Sequence, residues 1–551
     1  MKKNWQKIVA VSATVALSAL VLAACGGKSN SASNKQVLNL PAAAQLDTID
    51  ISKSTGYGQT GNVYESFYRL GKKGKPIAGL AASSKKSADG KTWQFTIRKN
   101  AKWSNGDPIT ASDFVYSWRR SVTPKTASPY AYLFTGVKNA DAISTGKADP
   151  ATLGIKATGK RTLQIQLDQP IGYFKVLMAY PLFGPQSQKV ADKYGKKYGT
   201  NAKYSVYSGP FKVSKWNGTA NTWSFSKNPY YWDKSKVKLN KINYQVVSDS
   251  ATSLDLFQTN KLDMSQLDPT QVSNYAKNKE YHTYPYSFVS FLNYNFNSKN
   301  AKTNKLLNNG NFRQALSASL DRKLLSKKVV GVNTIIPTGF VASSLASNPE
   351  TGTDFSKDQQ ISGVNTYDKA LAKSKWDAAK RETGISKAKI TLLAASDSGD
   401  DPTAKEVVQY VKAQVEDLMP GMSINIKLMP TQGANEQEKN GDYDIMLSGW
   451  GADYNDPMSF LQIMTKGSAY NYGKYANVQY NTLVNKAATS DANNPKARWN
   501  DMVQASKIIS RDQAVTPLYQ SVYSWMQKSN VHGLVHNTAG TQWSYKTAYI
   551  K

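Results

Sequence analysis

The stretch ITLLAA at residues 390–395 is followed by TAKEVVQYVKAQVEDL at 403–418, INIKL at 424–428 and DIML at 444–447. The first is a short, unbroken apolar run, the pattern of a strand buried on both faces. The second repeats its apolar residues at helical spacing, with Val407, Val408, Val411, Val415 and Leu418 on one face, and Pro420-Gly421 stops it. In the third, Ile424, Ile426 and Leu428 alternate with polar residues as a strand does. The fourth starts a further strand that runs into Ser448-Gly449-Trp450-Gly451. Strands alternating with helices predict an α/β domain with a largely parallel sheet. Ligands of such sheets bind beyond the carboxyl ends of the strands, and the segment Gly449 to Pro457 sits at such an end.

Outward from this region the rhythm changes. Trp93, Phe95 and Ile97 alternate with polar residues, as do Leu163, Ile165 and Leu167, so two half-buried strands are predicted there. Between them, Asn105-Gly106 and Asp107-Pro108 mark a turn, and Thr110 with Asp113 three residues on fits a capping box that opens a helix through Phe114, Val115 and Trp118. The chain has 551 residues, whereas single cores stop growing at about 250–300 residues, so at least two domains are expected. No repeat of solenoid length is visible.

The amino end reads as an export signal. Lys2, Lys3 and Lys7 precede an apolar or small-residue run from Ile8 to Leu22, which ends in Leu22-Ala23-Ala24-Cys25-Gly26. Residues 1–24 are therefore expected to be a signal peptide, and 25–35, rich in Gly, Ser, Asn and Lys, a flexible tether. The run is shorter than the about 20 apolar residues a spanning helix needs. Cys25 is the only cysteine in the chain, so neither an internal disulfide nor a thiolate metal cluster is expected. The formal charge is +32; removing the three signal lysines leaves +29. The lysines are spread along the chain rather than gathered in an arm. With an export signal present, this favours an anionic cell surface over nucleic acid.

Little in the sequence supports catalysis. The three histidines are His282, His532 and His536. The last two are four apart, but Gly533 lies between them and no HExxH glutamate accompanies them, so they read as surface or packing residues rather than metal ligands. No nucleophile elbow, P-loop or dinucleotide fingerprint occurs. The acidic run at 397–401 lacks the spacing of an EF-hand and reads as a solvated loop. Neither a cofactor nor a metal is expected.

The segment GWGADYNDP, residues 449–457, places a tryptophan and a carboxylate three residues apart at a strand end. A peptide offers a positive amino group and a hydrogen-bonding backbone. A carboxylate holds the first through charge-assisted bonds, and neighbouring extended backbone pairs with the second. Composition alone leaves open whether Asp453 holds a ligand or caps the helix predicted at Met458 to Met464; Asp456, next to Pro457, reads as a local cap.

Several ordered blocks resemble the extracellular oligopeptide-binding proteins of bacterial ABC importers. They are WSNGDPITASDFVYSWR at 103–119, Gly209-Pro210-Phe211 with Asn228-Pro229-Tyr230-Tyr231-Trp232, Phe312 to Leu316 with Leu320-Asp321-Arg322, GWGADYNDPMSFL at 449–461, and DQAVTPLY at 512–519. Leu22-Ala23-Ala24-Cys25 likewise resembles the lipobox of bacterial lipoproteins, in which the thiol takes a diacylglycerol. The first resemblance implies an α/β, two-lobed periplasmic-binding-protein-like fold with an extra third domain and a ligand cleft between the lobes. Lobe I would hold residues 36–72, 204–289 and 521–551, the extra domain 73–203 and the second α/β lobe 290–520. It further implies an oligopeptide ligand whose amino end binds Asp453. Backbone at Trp450, Gly451 and Ala452 would pair with the peptide on one side, and that near Tyr57, Gly58 and Gln59 on the other. The implied partners are ABC permease subunits, met by a monomer lipid-anchored through Cys25 on the outer face of the cell membrane. The chain departs from some relatives in having Gly451 where they have a disulfide cysteine, and Leu447 where they have an arginine that meets the peptide's carboxylate. An enzyme and a wall-binding adhesin are the competing classes. Peptide cleavage would mark the first, and binding that collapses in salt the second.

Overall fold

Two long strands, Tyr281–Tyr294 and Val515–Gln527, run antiparallel through the middle of the protein in a computed structural model. The structure describes residues 36–331, 333–397 and 403–551. The signal peptide, the tether, Cys25 and residues 398–401 of the acidic run lie outside the described residues.

These two strands anchor a six-stranded sheet in the order Met264–Leu267, Val515–Gln527, Tyr281–Tyr294, Ile445–Trp450, Ala388–Ala395, Met422–Met429. The predicted elements around 390–447 are present: the helix spans Ala404–Leu418, and the Ile445–Trp450 strand runs to the segment singled out from sequence. The sheet is mixed, however, not largely parallel. Only the last three strands run parallel to one another, while the two long strands pair antiparallel with each other, Tyr281–Tyr294 pairs antiparallel with Ile445–Trp450, and Val515–Gln527 pairs antiparallel with Met264–Leu267. Local alternation identifies a strand but not its neighbour, and here the neighbours come from segments more than 200 residues apart. The core of this region forms where Val407, Val408, Val411 and Val415 cover Ile390, Leu392, Ile424 and Ile445, all buried.

Two four-stranded sheets complete the frame. One has the order Val37–Ala42, Lys241–Val246, Thr222–Lys227, Phe211–Ser214; the other, Ala81–Lys86, Thr92–Ile97, Thr162–Gln166, Ile155–Ala157, is antiparallel throughout. In the second, the alternation of Trp93, Phe95 and Ile97 turns all three inward. Phe67 stacks on Phe95 and on Phe114, with ring centroids 4.2 Å apart in both pairs. Each such pair contributes about 0.5–1.5 kcal/mol beyond the area it buries. Phe114 lies on the helix Ala111–Val122, which opens with the expected capping box between Thr110 and Asp113.

The long pair of strands shifts register twice, between Pro285 and Val289 and again between Ser290 and Phe291, and the first shift is the larger. Pro285 pairs with Val522 and Val289 with Gln520, so residues 286–288 stand opposite a single residue. Proline has no N–H to give the ladder and is tolerated where pairing breaks. Such a bulge bends its strand and re-aims its side chains. The lobe boundaries expected at 289/290 and 520/521 fall beside it.

Candidate ligand site

The bulge and the end of the Ile445–Trp450 strand together build one wall of a site. Gly449 pairs with Ser290, and a Cβ at Gly449 would lie 2.1 Å from Phe288 Cζ, so glycine lets that ring lie across the strand. Ser287 Oγ accepts the Ala452 N–H at 3.0 Å. Trp450 donates its indole N–H to the Ser459 carbonyl at 2.8 Å, and its ring meets Tyr470 edge-on at 4.9 Å. Gly451 lies near Tyr286, whose hydroxyl a Cβ there would approach to 3.3 Å.

Asp453 follows at the head of the loop. Its N–H is fixed by Ser459 Oγ at 2.9 Å, and its Oδ1 accepts the Tyr132 hydroxyl at 3.0 Å. Among the described residues no Lys, Arg or His pairs with it. Burial pushes its carboxyl up to about 6, against the lowering effect of the Tyr132 bond. Tyr132 belongs to a cluster of phenols around this carboxylate. Tyr57 stacks on Tyr130 at 5.0 Å and meets Tyr180 edge-on at 5.0 Å, and Tyr130 lies 6.3 Å from Tyr132. Burial raises all four of these phenols, and the negative charge of Asp453 adds to the shift in each. The Tyr57 hydroxyl is buried without a hydrogen-bond partner. An aromatic enclosure around a carboxylate with no cationic partner is an environment that a ligand cation completes, because ring faces and a carboxylate both attract positive charge.

Asp456, three residues on, has a different task. Arg498 donates to both its oxygens, at 2.8 and 2.7 Å, and Asp456 Oδ1 also accepts the Met458 N–H at 3.0 Å; both side chains are buried. The local cap expected from sequence is therefore present, together with an ion pair to a residue 42 positions away. The helix predicted from Met458 to Met464 is α-helical over Met458–Leu461 and tightens to a 3₁₀ turn over Gln462–Met464.

The expected residues come together unequally. Asp453 and Tyr57 share the tyrosine cluster. The carbonyls of Tyr57, Gly58 and Gln59 are engaged by the Gly61 N–H, the Asn62 side chain and the Asn62 N–H, and Gln59 also accepts the Trp223 indole N–H at 3.3 Å. This segment is the start of the helical turn Thr60–Val63 rather than an extended strand. On the other side, Ala452 has its amide bonded to Ser287, so a ligand strand pairing at 450–452 would have to use the neighbouring groups. Sequence reasoning did not find Tyr130, Tyr132, Tyr180, Ser287 or Ser459. Only the alternate tyrosines of Ser128-Pro129-Tyr130-Ala131-Tyr132 carry a signal, two aromatics at the start of the 3₁₀ turn Ala131–Phe134. His536, one of the histidines set aside, packs against Tyr284 and Trp543, and burial lowers its imidazole to about 4.

Comparison with known proteins gives a consistent picture. The family model of bacterial extracellular solute-binding proteins, family 5 (middle), matches residues 75–472. A dipeptide-binding protein of Lactococcus lactis subsp. cremoris (strain MG1363) is 35% identical over 557 aligned residues, covering 99% of each chain. The oligopeptide-binding protein OppA of Bacillus subtilis (strain 168) is 30% identical, covering 100% of each. Among solved structures, Listeria monocytogenes OppA bound to peptide superposes with a TM-score of 0.72 at 33% identity, covering 94% of this chain and 100% of that one.

Proposed function

The chain belongs to the bacterial extracellular solute-binding proteins, family 5, and on that premise we propose that it captures oligopeptides by their free amino end and delivers them to an ABC importer in the membrane. As a member of that family it is a binding protein, not an enzyme. The observation that carries the peptide reading is Asp453, a carboxylate with no cationic partner of its own inside a ring of tyrosines. A ligand ammonium there gains charge-assisted bonds worth about 1.5–3 kcal/mol each. The names of the relatives point the same way: one is a dipeptide-binding protein, the other an oligopeptide-binding protein.

In this reading residues 36–72, 204–289 and 521–551 form one lobe, 73–203 an added domain, and 290–520 the second lobe. The ligand lies between Asp453 on one side and the tyrosines of the first 203 residues on the other. The bulge at 286–288 is the hinge, since an interrupted ladder bends at lower cost than a continuous one. The protein works as a monomer, held at the outer face of the membrane by a diacylglycerol on Cys25, whose two acyl chains suffice for stable anchoring. Replacing Cys25 by alanine is expected to abolish palmitate labelling and release the protein from the membrane fraction. A mutant that still labels would rule out that attachment.

The reading is tested by incubating the purified protein with an isotope-labelled peptide. Recovery of intact peptide, one per protein, is expected; cleaved peptide or no retention would contradict it. The elevated Asp453 carboxyl adds a pH dependence. Pairing needs the carboxylate, and in the ligand-free protein that group takes up a proton as pH falls through about 6. Affinity should therefore be level between about pH 6 and the roughly 7.7–8 at which the peptide's own ammonium loses its proton, and fall below about 6 by up to about tenfold per unit, with proton release on binding there. Titration calorimetry in buffers of different ionisation heat reads both effects, and constant affinity down to about pH 5 would contradict the assignment.

A further inference from the structure

A second carboxylate lines a cavity beside the Asp453 site. The cavity, of about 340 Å³, lies at the carboxyl ends of the parallel strands, between the helix Thr431–Asn440 and the strands Ile445–Trp450 and Tyr281–Tyr294. Phe291, Leu447, Ile463, Trp450 and Tyr470 supply apolar and aromatic wall. Glu438 and Asn293, each 5% exposed, supply the buried polar groups. Asn293 donates its amide N–H to Glu438 Oε1 at 3.0 Å, which leaves its carbonyl oxygen as an acceptor, and that Oδ1 has no hydrogen-bond partner. The one basic residue in the lining is Lys439, exposed on the helix beside Glu438.

The geometry points to a subsite of the peptide-binding cleft for a basic side chain: the ammonium or guanidinium of a lysine or arginine in the bound peptide enters this cavity and pairs with the Glu438 carboxylate. The inference rests on the peptide reading above and names the class of peptide preferred. Both buried polar groups offer acceptors, so the group that completes them is a donor. The volume is at the lower end of small-molecule sites, about 300–1,000 Å³, and accommodates one long side chain rather than a peptide. The apolar wall suits the aliphatic stem of such a residue, which buries its methylenes while its charged head finds a partner. The Trp450 and Tyr470 rings add faces that attract cations. Placement agrees: Trp450 and Asp453 are three residues apart, at most about 11 Å of extended chain. A peptide fixed by its amino end at Asp453 therefore reaches the cavity within its first few residues. Burial raises the Glu438 carboxyl against the lowering effects of hydrogen bonds from Asn293 and Ser448 and of the Lys439 charge, and a cation entering the cavity favours its ionised form.

The test uses the full-length protein and alanine-based pentapeptides with free amino ends. One lysine is placed at position 2, 3 or 4, and each peptide is compared with a twin carrying norleucine, the neutral isostere, at the same position. At one position the wild type is expected to bind the lysine peptide at least about tenfold more tightly than its twin. Glu438→Gln is expected to lose that preference while still binding the norleucine twin, which also shows that the variant is folded. Equal affinity within every wild-type pair would overturn the subsite and leave the peptide reading standing. So would a lysine preference that survives in Glu438→Gln. Binding of none of the six peptides to the wild type would overturn both.

Discussion

Asp453→Asn lowers affinity for a free-amino peptide by about a hundredfold or more if this carboxylate holds the ligand's ammonium. The substitution keeps shape and hydrogen-bonding capacity and removes only charge, so the loss reports the pairing itself. Removing one side of a buried, hydrogen-bonded charge pair costs about 2–5 kcal/mol, mostly as faster release, and each 1.4 kcal/mol is tenfold. The site offers little to cushion the loss. Tyr132 and Ser459 are the side chains hydrogen-bonded to Asp453, and the neighbouring carboxylate, Asp456, is held on both oxygens by Arg498 and is not free to take over the ammonium. The ligand-side counterpart is N-acetylation, which keeps the peptide and neutralises its amino group. The wild type is expected to reject the acetylated twin by a similar factor, and Asp453→Asn to bind both twins with nearly equal, weak affinity. Equal affinity of the wild type for both peptides would remove Asp453 from the site.

The second large effect is expected at Arg498, and it is on stability. Arg498 and Asp456 form a bidentate pair with both side chains buried. Arg498→Ala leaves a buried carboxylate without its partner, a change that costs about 3–5 kcal/mol where such pairs have been broken. The same segment carries the stacked rings of Tyr173 and Tyr454, 4.3 Å apart, with the Arg498 guanidinium 5.6 Å from the Tyr173 ring. Losing the arginine therefore loosens packing as well as charge. Denaturant unfolding of ligand-free protein is expected to show a lower midpoint for Arg498→Ala. The double replacement Asp456→Asn with Arg498→Met should recover part of the loss, because it leaves no buried charge. A midpoint unchanged in Arg498→Ala would contradict a structural role for the pair.

The contrast between these two aspartates shows where sequence reading reached and where it stopped. The helix Ala404–Leu418, the strands flanking it and the capping box at Thr110 are local features, written in spacing and turn chemistry, and they stand where periodicity put them. Asp453 stands out in the sequence as a candidate because of its place at a strand end and the role a family resemblance implies for it. The partner of Asp456 was not legible, because Arg498 reaches it from a helix 42 residues away and no local pattern records that contact. The same limit explains the sheet. No local pattern singles out Tyr281–Tyr294 and Val515–Gln527 as the pair that turns the sheet mixed. The bulge at 286–288 and the tyrosines at 57, 130, 132 and 180 depend on that long-range pairing and on domain packing. For that reason the enclosure of Asp453 is visible only in three dimensions.

The central claim is that the natural ligand is a peptide held by its amino end. Mass spectrometry of whatever is released on denaturing protein purified under native conditions tests it most directly. The account predicts a mixture of short peptides with unblocked amino ends. Release of a non-peptide solute, or of peptides whose amino ends are blocked, would contradict it.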